Sequence, residues 1–230
     1  IACFSFHPRK LITTGDGGML TTSNAEFDKK FRLWRQHSMS VPDTVRHQSR
    51  RVTFESYPEL GFNYRMTDIQ AAVGREQLKR LPEIIARRRE LAARYQELLA
   101  NLPEVILPQE PVYARSNWQS YCVWLAGGVN QEQVMQRLLD QNISTRRGIM
   151  CAHREPAYED AGTWRCGKSD CNRKNCSCLK ESERAQEQAI ILPLFHQMTE
   201  RDQERVTTAL KDTVLTQVPS STAGAVGGRR

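Results

Sequence analysis

Near the start of the chain, Lys10 follows an apolar run, Ile1-Ala2-Cys3-Phe4-Ser5-Phe6, and precedes a glycine-rich stretch, Gly15-Asp16-Gly17-Gly18. A lysine amine attacks carbonyl groups when it is held in place and partly desolvated, so that its neutral form is within reach. A strand that ends in a glycine turn meets the first requirement, because the strand fixes the backbone and the glycines let the main chain come close to a bulky ligand. The Ser5 hydroxyl lies five residues before the lysine and suits an anion such as a phosphate. By spacing alone the ordinary reading is as good: a lysine after a strand is usually solvated, and Gly-Asp-Gly-Gly is a common turn.

The elements that must position these groups follow from periodicity and caps. Met19-Leu20-Thr21-Thr22 reads as a short strand. Asn24 suits the N-cap of a helix carrying Phe27, Phe31 and Trp34 on one stripe. Residues 37–58 are polar, hold two prolines and lack periodicity, which predicts a long loop. Thr67-Asp68-Ile69-Gln70 has the form of a capping box. The helix it opens is expected to run through Leu81 and restart at Pro82, with Ile84, Leu91, Tyr95 and Leu98 along one face. Further on, Tyr121–Leu125 reads as a strand, Asn130 as the cap of a helix bearing Val134, Leu138 and Leu139, and Ile143-Ser144-Thr145 as another strand. Thr199 is the expected cap of a last helix with Val206 and Leu210 inward. The pattern is α/β: residues 1–103 as part of a large domain with a linking helix, 104–217 as a small α+β domain, and 218–230 as a flexible tail.

Composition narrows the function classes. The 230 residues are 39% hydrophobic and 26% charged, the profile of a globular protein. No apolar run approaches the roughly 18 residues of a membrane span, and no leader pattern is present. Seven cysteines without a leader suggest reduced thiols and a cytoplasmic protein. The formal charge of +7 raises nucleic-acid binding, but Arg87-Arg88-Arg89 are consecutive, about 100° apart on a helix, and form no single stripe. Most of these arginines are expected on a solvated surface. Cys166, Cys171, Cys176 and Cys178 are dense enough for zinc, but their spacing does not repeat the C-x₂₋₄-C knuckle, so no metal is expected. The opening apolar run resembles a strand buried on both faces of a sheet. Such a strand needs neighbours, and the expectation is that the sequence is the C-terminal portion of a longer protein.

Several separated segments then resemble one family in order. Ser5-Phe6-His7, Lys10 and Gly15-Asp16-Gly17-Gly18 are similar to the signature around the Schiff-base lysine of the DegT/DnrJ/StrS family. These are pyridoxal-phosphate-dependent sugar aminotransferases of aspartate aminotransferase fold type I. Leu60-Gly61-Phe62-Asn63-Tyr64-Arg65-Met66, with "TDIQAAVGREQLKRL" after it, resembles the family's second hallmark. Ile143–Arg147 and Ala152–Tyr158 resemble its small-domain loop, and Ile191-Leu192-Pro193-Leu194 its C-terminal end. The resemblance covers residues 1 to about 213.

It implies that Lys10 forms the Schiff base with pyridoxal 5′-phosphate and shuttles the proton of a 1,3-shift. It implies that Ser5 binds the cofactor phosphate and that Asn63 reaches the phosphate of a neighbouring subunit, so that a homodimer shares its sites. His7, Tyr64, Arg65 and His153 become candidates for substrate contact, with structural roles about equally supported. Asp16 stands where the family commonly has glutamate. The implied reaction carries an amino group from L-glutamate to a keto-sugar nucleotide in polysaccharide or amino-sugar synthesis. The family's carboxylate for the pyridine nitrogen is not among these residues, so the piece alone is expected to be inactive. The alternatives are a non-catalytic family member serving regulation or assembly, against which Lys10 argues, and a zinc-stabilised binding module.

Overall fold

The structure, a computed structural model, describes residues 1–158 and 177–217. Its contacts divide the chain into two compact units, Ile1–Ile84 and Ile85–Arg230.

The first unit opens with an antiparallel pair, β1 (Ala2–Ser5) and β2 (Gly18–Thr21), in the register Ala2 opposite Thr21 and Ser5 opposite Gly18. The opening run is a strand as expected. Among the described residues β1 has one neighbour, and Ile1, Phe4, Met19 and Leu20 are all about half exposed or more. Helix α1 (Ala25–Trp34) begins where Asn24 predicts, its side chain accepting from the backbone N–H groups of Glu26 and Phe27. Phe27 and Phe31 stack on its face, although no residue of α1 is fully buried. The expected loop 37–58 contains a short helix, α2 (Asp43–Gln48). Its six residues are too few to show a helical period in sequence.

Helix α3 (Asp68–Leu99) starts with the predicted capping box: Thr67 N–H donates to Gln70 Oε1 at 3.0 Å, and Gln70 N–H to Thr67 Oγ1 at 3.2 Å. It neither stops at Leu81 nor restarts at Pro82; 32 residues run unbroken with the proline inside. A proline removes one ladder bond and crowds one carbonyl, at a cost of about 3 kcal/mol. A helix this long, packed along its second half, outweighs that cost.

The second unit is a four-stranded antiparallel sheet in the order β3 (Val105–Ile106), β4 (Tyr121–Leu125), β6 (Ala189–Leu192), β5 (Arg146–Arg147). Helices α4 (Gln131–Asp140) and α6 (Glu200–Leu215) pack together, α4 also meets β6, and α5 (Lys180–Gln188) leads into that strand. Alternation along β4 buries Tyr121, Val123 and Leu125 and leaves Cys122 and Trp124 partly covered. These side chains share one core with Leu91, Ala92, Tyr95 and Leu99 of α3, Val134 and Leu138 of α4, Ile190 and Leu192 of β6, and Val206 and Leu210 of α6.

Three expectations shift here. Leu99 rather than Leu98 completes the buried face of α3, and Leu139 is exposed where Val134 and Leu138 already fill the α4 side of the core. The strand expected at Ile143–Thr145 is paired at Arg146–Arg147, because Ile143 is buried in the core just before the chain reaches the sheet edge. The arginine triplet is not a solvated surface. Its members point apart, and each ties α3 to a different stretch: Arg87 donates to the Met198 carbonyl at 3.0 Å, Arg88 to the Trp118 carbonyl at 2.8 Å, and Arg89 to both oxygens of Glu110 at 2.8 Å. Cys166, Cys171, Cys176 and the tail 218–230 lie outside the described residues; Cys178 is exposed. No described helix is long and apolar enough to cross a membrane.

Candidate active site

Between β1 and β2 the chain makes an excursion that carries Lys10. Its neck is closed by Phe6, whose N–H donates to the Gly17 carbonyl at 2.9 Å. The Phe6 carbonyl accepts twice, from Thr13 Oγ1 at 2.7 Å and from Thr14 N–H at 3.2 Å. Within the excursion Lys10 N–H donates to the His7 carbonyl at 2.9 Å, which makes a turn of His7–Lys10. Arg9 N–H donates to His7 Nδ1 at 3.2 Å, so a neutral His7 ring carries its proton on Nε2. Ser5 Oγ accepts a long bond of 3.4 Å from His7 N–H, which leaves its hydroxyl hydrogen for another acceptor. Ser5, His7 and Lys10 are all exposed. The end of β1 and the turn after it thus carry a hydroxyl, an imidazole and an amine, a donor set that fits an aldehyde carrying a phosphate.

The glycine stretch closes the excursion. Gly17 has a φ of 136°, and a Cβ there would stand 2.9 Å from Thr14 Oγ1 and 3.2 Å from Met66 Cε. Asp16 accepts the Gly17 N–H on its own carboxylate at 2.9 Å, so its charge serves the turn. Thr14 is buried, and its hydroxyl donates to the Asp16 carbonyl at 2.5 Å.

The second hallmark segment is held by backbone pairing beside α1. His37 N–H donates to the Phe62 carbonyl at 2.8 Å, Phe62 N–H to the Trp34 carbonyl at 2.6 Å, and Tyr64 N–H to the Arg35 carbonyl at 2.8 Å. This places Asn63 opposite Gln36 in an isolated bridge. The approach is so close that a Cβ on Gly61 would collide with the backbone of His37 and Ser38, both of which are left-handed with φ of 62° and 58°. Asn63, Tyr64 and Arg65 are exposed, and the Phe62 and Tyr64 rings stack at 5.1 Å.

The two hallmarks, some fifty residues apart in sequence, meet: Met66 and Gln70 of the second segment touch Gly17 and Asp16 of the first. The structure places Ser5 at the end of β1, His7 and Lys10 in the turn that follows, and Asn63, Tyr64 and Arg65 in one segment paired beside α1. His153 belongs to the second unit. There its ring nitrogen Nε2 lies 3.0 Å from Glu183 Oε1, with little exposure. Arg154 binds Glu187 at 2.7 Å and Glu183 at 3.2 Å. The His153 hydrogen bond, with Arg154 beside it, holds the Glu183 carboxyl below its ordinary range. Sequence reasoning missed Thr14 and the second role of Gln70. The capping-box spacing showed Gln70 facing Thr67, but a side-chain bond to a carbonyl 54 residues away has no local signal.

The α/β architecture is that of fold type I pyridoxal-phosphate-dependent transferases. Residues 1–211 match the profile of the DegT/DnrJ/EryC1/StrS aminotransferase family, and the chain belongs to that family. Members of the family depend on pyridoxal phosphate. Protein MJ1066 of Methanocaldococcus jannaschii is 32% identical over 214 residues, 92% of this chain and 53% of that protein. The spore coat polysaccharide biosynthesis protein SpsC of Bacillus subtilis is 31% identical over 215 residues, with the same coverage. The crystal structure of DesV from S. venezuelae, solved with a ketimine intermediate, superposes with a TM-score of 0.73 at 28% identity, over 92% of this chain and 50% of that one. The chain therefore spans about half the length of the curated relatives it matches.

Proposed function

We propose that the chain is the lysine-bearing part of a pyridoxal-phosphate-dependent sugar aminotransferase, which moves an amino group from L-glutamate to a keto-sugar nucleotide for polysaccharide or amino-sugar synthesis. The observation that carries this reading is the pinned excursion that bears Lys10 just after Ser5 and His7, bonded to the second family hallmark through Gln70. The likeness to SpsC supports the polysaccharide setting.

When bound, pyridoxal phosphate supplies an aldehyde and an electron-withdrawing ring that disperses charge from the reacting carbon. Lys10 Nζ would be the group that holds that aldehyde covalently; freed by the amino donor, it would take the proton from the donor's amino-bearing carbon and return it on the other side of the 1,3-shift. The Ser5 hydroxyl donates to the phosphate. Asn63 reaches the phosphate bound by a second copy, which makes the enzyme a homodimer with shared sites. His7, Tyr64 and Arg65 face substrate, Arg65 as a cation for the nucleotide's phosphates. His153 is assigned to substrate on its motif alone, since Glu183 already holds its ring. The carboxylate that keeps the pyridine nitrogen protonated comes, on this reading, from chain outside these residues, in keeping with the relatives' greater length. The domain limits 1–103 and 104–217 and a cytoplasmic location belong to the same proposal, and the 230 residues alone are inactive under it.

Replacing Lys10 by alanine in the complete enzyme tests it. Glutamate-dependent amination of a keto-sugar nucleotide falls by roughly 10²–10⁴-fold or more while the circular dichroism spectrum is unchanged. Retained amination would remove Lys10 from the chemistry. Loss of a cellular role in the Lys10 variant is expected of a catalyst, and its persistence would favour a regulatory or assembly role.

A further inference from the structure

We propose that Gln70 is a positioning residue for Lys10, tying the first turn of α3 to the neck of the lysine excursion. The inference rests on the reading of Lys10 given above but concerns a side chain to which that reading assigns nothing.

Gln70 is bifunctional. Its Oε1 accepts from Thr67 N–H at 3.0 Å and lies 3.1 Å from the Thr67 hydroxyl, which completes the helix cap. Its Nε2 donates to the Asp16 carbonyl at 3.2 Å. That carbonyl already accepts from Thr14 Oγ1 at 2.5 Å, so both of its lone pairs are used. Thr14 in turn donates its N–H to the Phe6 carbonyl, the acceptor that closes the neck. On its other side the Thr14 methyl lies 3.0 Å from where a Cβ would stand on Gly74, one turn further along α3. The chain of contacts is Gln70, Asp16, Thr14, Phe6, and then the turn that carries Lys10.

Beyond the neck, Leu11, Ile12 and Thr13 are half-buried. The lysine side chain and its neighbours from His7 to Lys10 are exposed, and β1 and β2 bury no apolar side chain among the described residues. An exposed two-stranded pair is marginal in water. Polar ties secure its neck, and Gln70 supplies the side-chain hydrogen bond that reaches the neck from a long helix, whose Gly74 the Thr14 methyl also faces. A helix of 32 residues is a rigid reference, which is what an amine needs if it is to meet a carbonyl at a fixed angle.

Two substitutions separate this from a plain capping role. Gln70→Glu keeps the acceptor for Thr67 but replaces the donor to Asp16 with a carboxylate oxygen. Gln70→Met removes both bonds at nearly constant volume. In amide hydrogen exchange on the present chain, both variants are expected to speed exchange at Phe6, Lys10 and Thr14 by about fivefold, the factor for one lost hydrogen bond. Only Gln70→Met also frays the amides of Gln70 and Ala71. Unchanged exchange at Phe6, Lys10 and Thr14 in Gln70→Glu would overturn the proposal, as would an equal rise in β4 and β6. In the complete enzyme, borohydride capture of pyridoxal phosphate on Lys10 slows by a similar factor in both variants, while capture equal to wild type would overturn it. No capture on Lys10 in the unsubstituted enzyme would sink the functional reading instead, and the exchange rates would then decide the tie on their own.

Discussion

The two units are held together by different physics. The second has a continuous apolar core in which Tyr95, Tyr121, Val123, Val134, Leu138, Ile190 and Leu210 are all fully buried. The first, which carries Lys10, buries few side chains and leaves Phe4, Met19, Leu20 and Tyr64 largely exposed. It relies on directed bonds: a helix cap that doubles as a clamp, a carbonyl that accepts twice, and glycines that let backbone meet backbone. A core tolerates small shifts through repacking, whereas a bonded turn is either closed or open.

The contrast can be broken by substitution, and the largest effect is expected in the second unit. Leu210→Ala removes a side chain with no exposure and is predicted to cost about 2–5 kcal/mol in urea unfolding. Phe4→Ala, at 52% exposure, is predicted to cost about 0.5 kcal/mol or less. Similar costs for the two would erase the distinction.

Next comes Arg88→Met. The guanidinium is buried, a location that pulls its proton affinity down through desolvation, and its bond to Trp118 pins the chain before β4. Methionine keeps the apolar stem and orphans the carbonyl, for a predicted loss of about 1–3 kcal/mol. Thermal unfolding measures it, and a neutral result would return Arg88 to the surface class that its sequence suggested.

A smaller gain is expected from Ser38→Gly in the first unit. Ser38 is fully buried, left-handed, and its hydroxyl has no partner among the described residues. Glycine adopts that backbone without strain, so the substitution is predicted to stabilise by about 0.5–1 kcal/mol, visible as a raised midpoint. A lowered midpoint would mean that the hydroxyl or its Cβ contributes packing.

The mildest probe is acid. Hydrogen bonds from Arg89, with Ser116 N–H behind them, hold the Glu110 carboxyl down to about 2 from an ordinary 4.5. A depressed carboxyl adds stability that is complete above pH 4.5, fades as pH falls toward 2, and is absent below. Glu110→Gln is predicted to flatten that part of the stability–pH curve, and an unchanged slope would exclude the pair as its source.

The sequence made the caps legible, since Asn24, Thr67, Asn130 and Thr199 each have an oxygen at the one spacing that reaches N2 or N3. It also made β4 legible as a short apolar run rich in aromatic and β-branched residues, Tyr121–Leu125. Other features were hidden for physical reasons. Pro82 reads as a stop because local rules do not count the turns on either side of it. The strand was expected at Ile143–Thr145 and not at Arg146–Arg147 because an edge strand is set by its partner's backbone, not by its own side chains. The arginine triplet looked solvated because its acceptors are carbonyls and a carboxylate about 20 to 110 residues away, beyond any periodicity. At the candidate site, Lys10, Ser5 and Asn63 were found through family likeness, and the clamp that orders the lysine turn was found only in three dimensions.

The central claim, that Lys10 is the amine which takes up the cofactor's aldehyde, is tested most directly by reducing the complete enzyme with borohydride in the presence of pyridoxal phosphate and mapping the modified peptide by mass spectrometry. The account predicts one pyridoxyl group on Lys10, lost in Lys10→Ala. A label on another lysine, or the same label in the alanine variant, would contradict it.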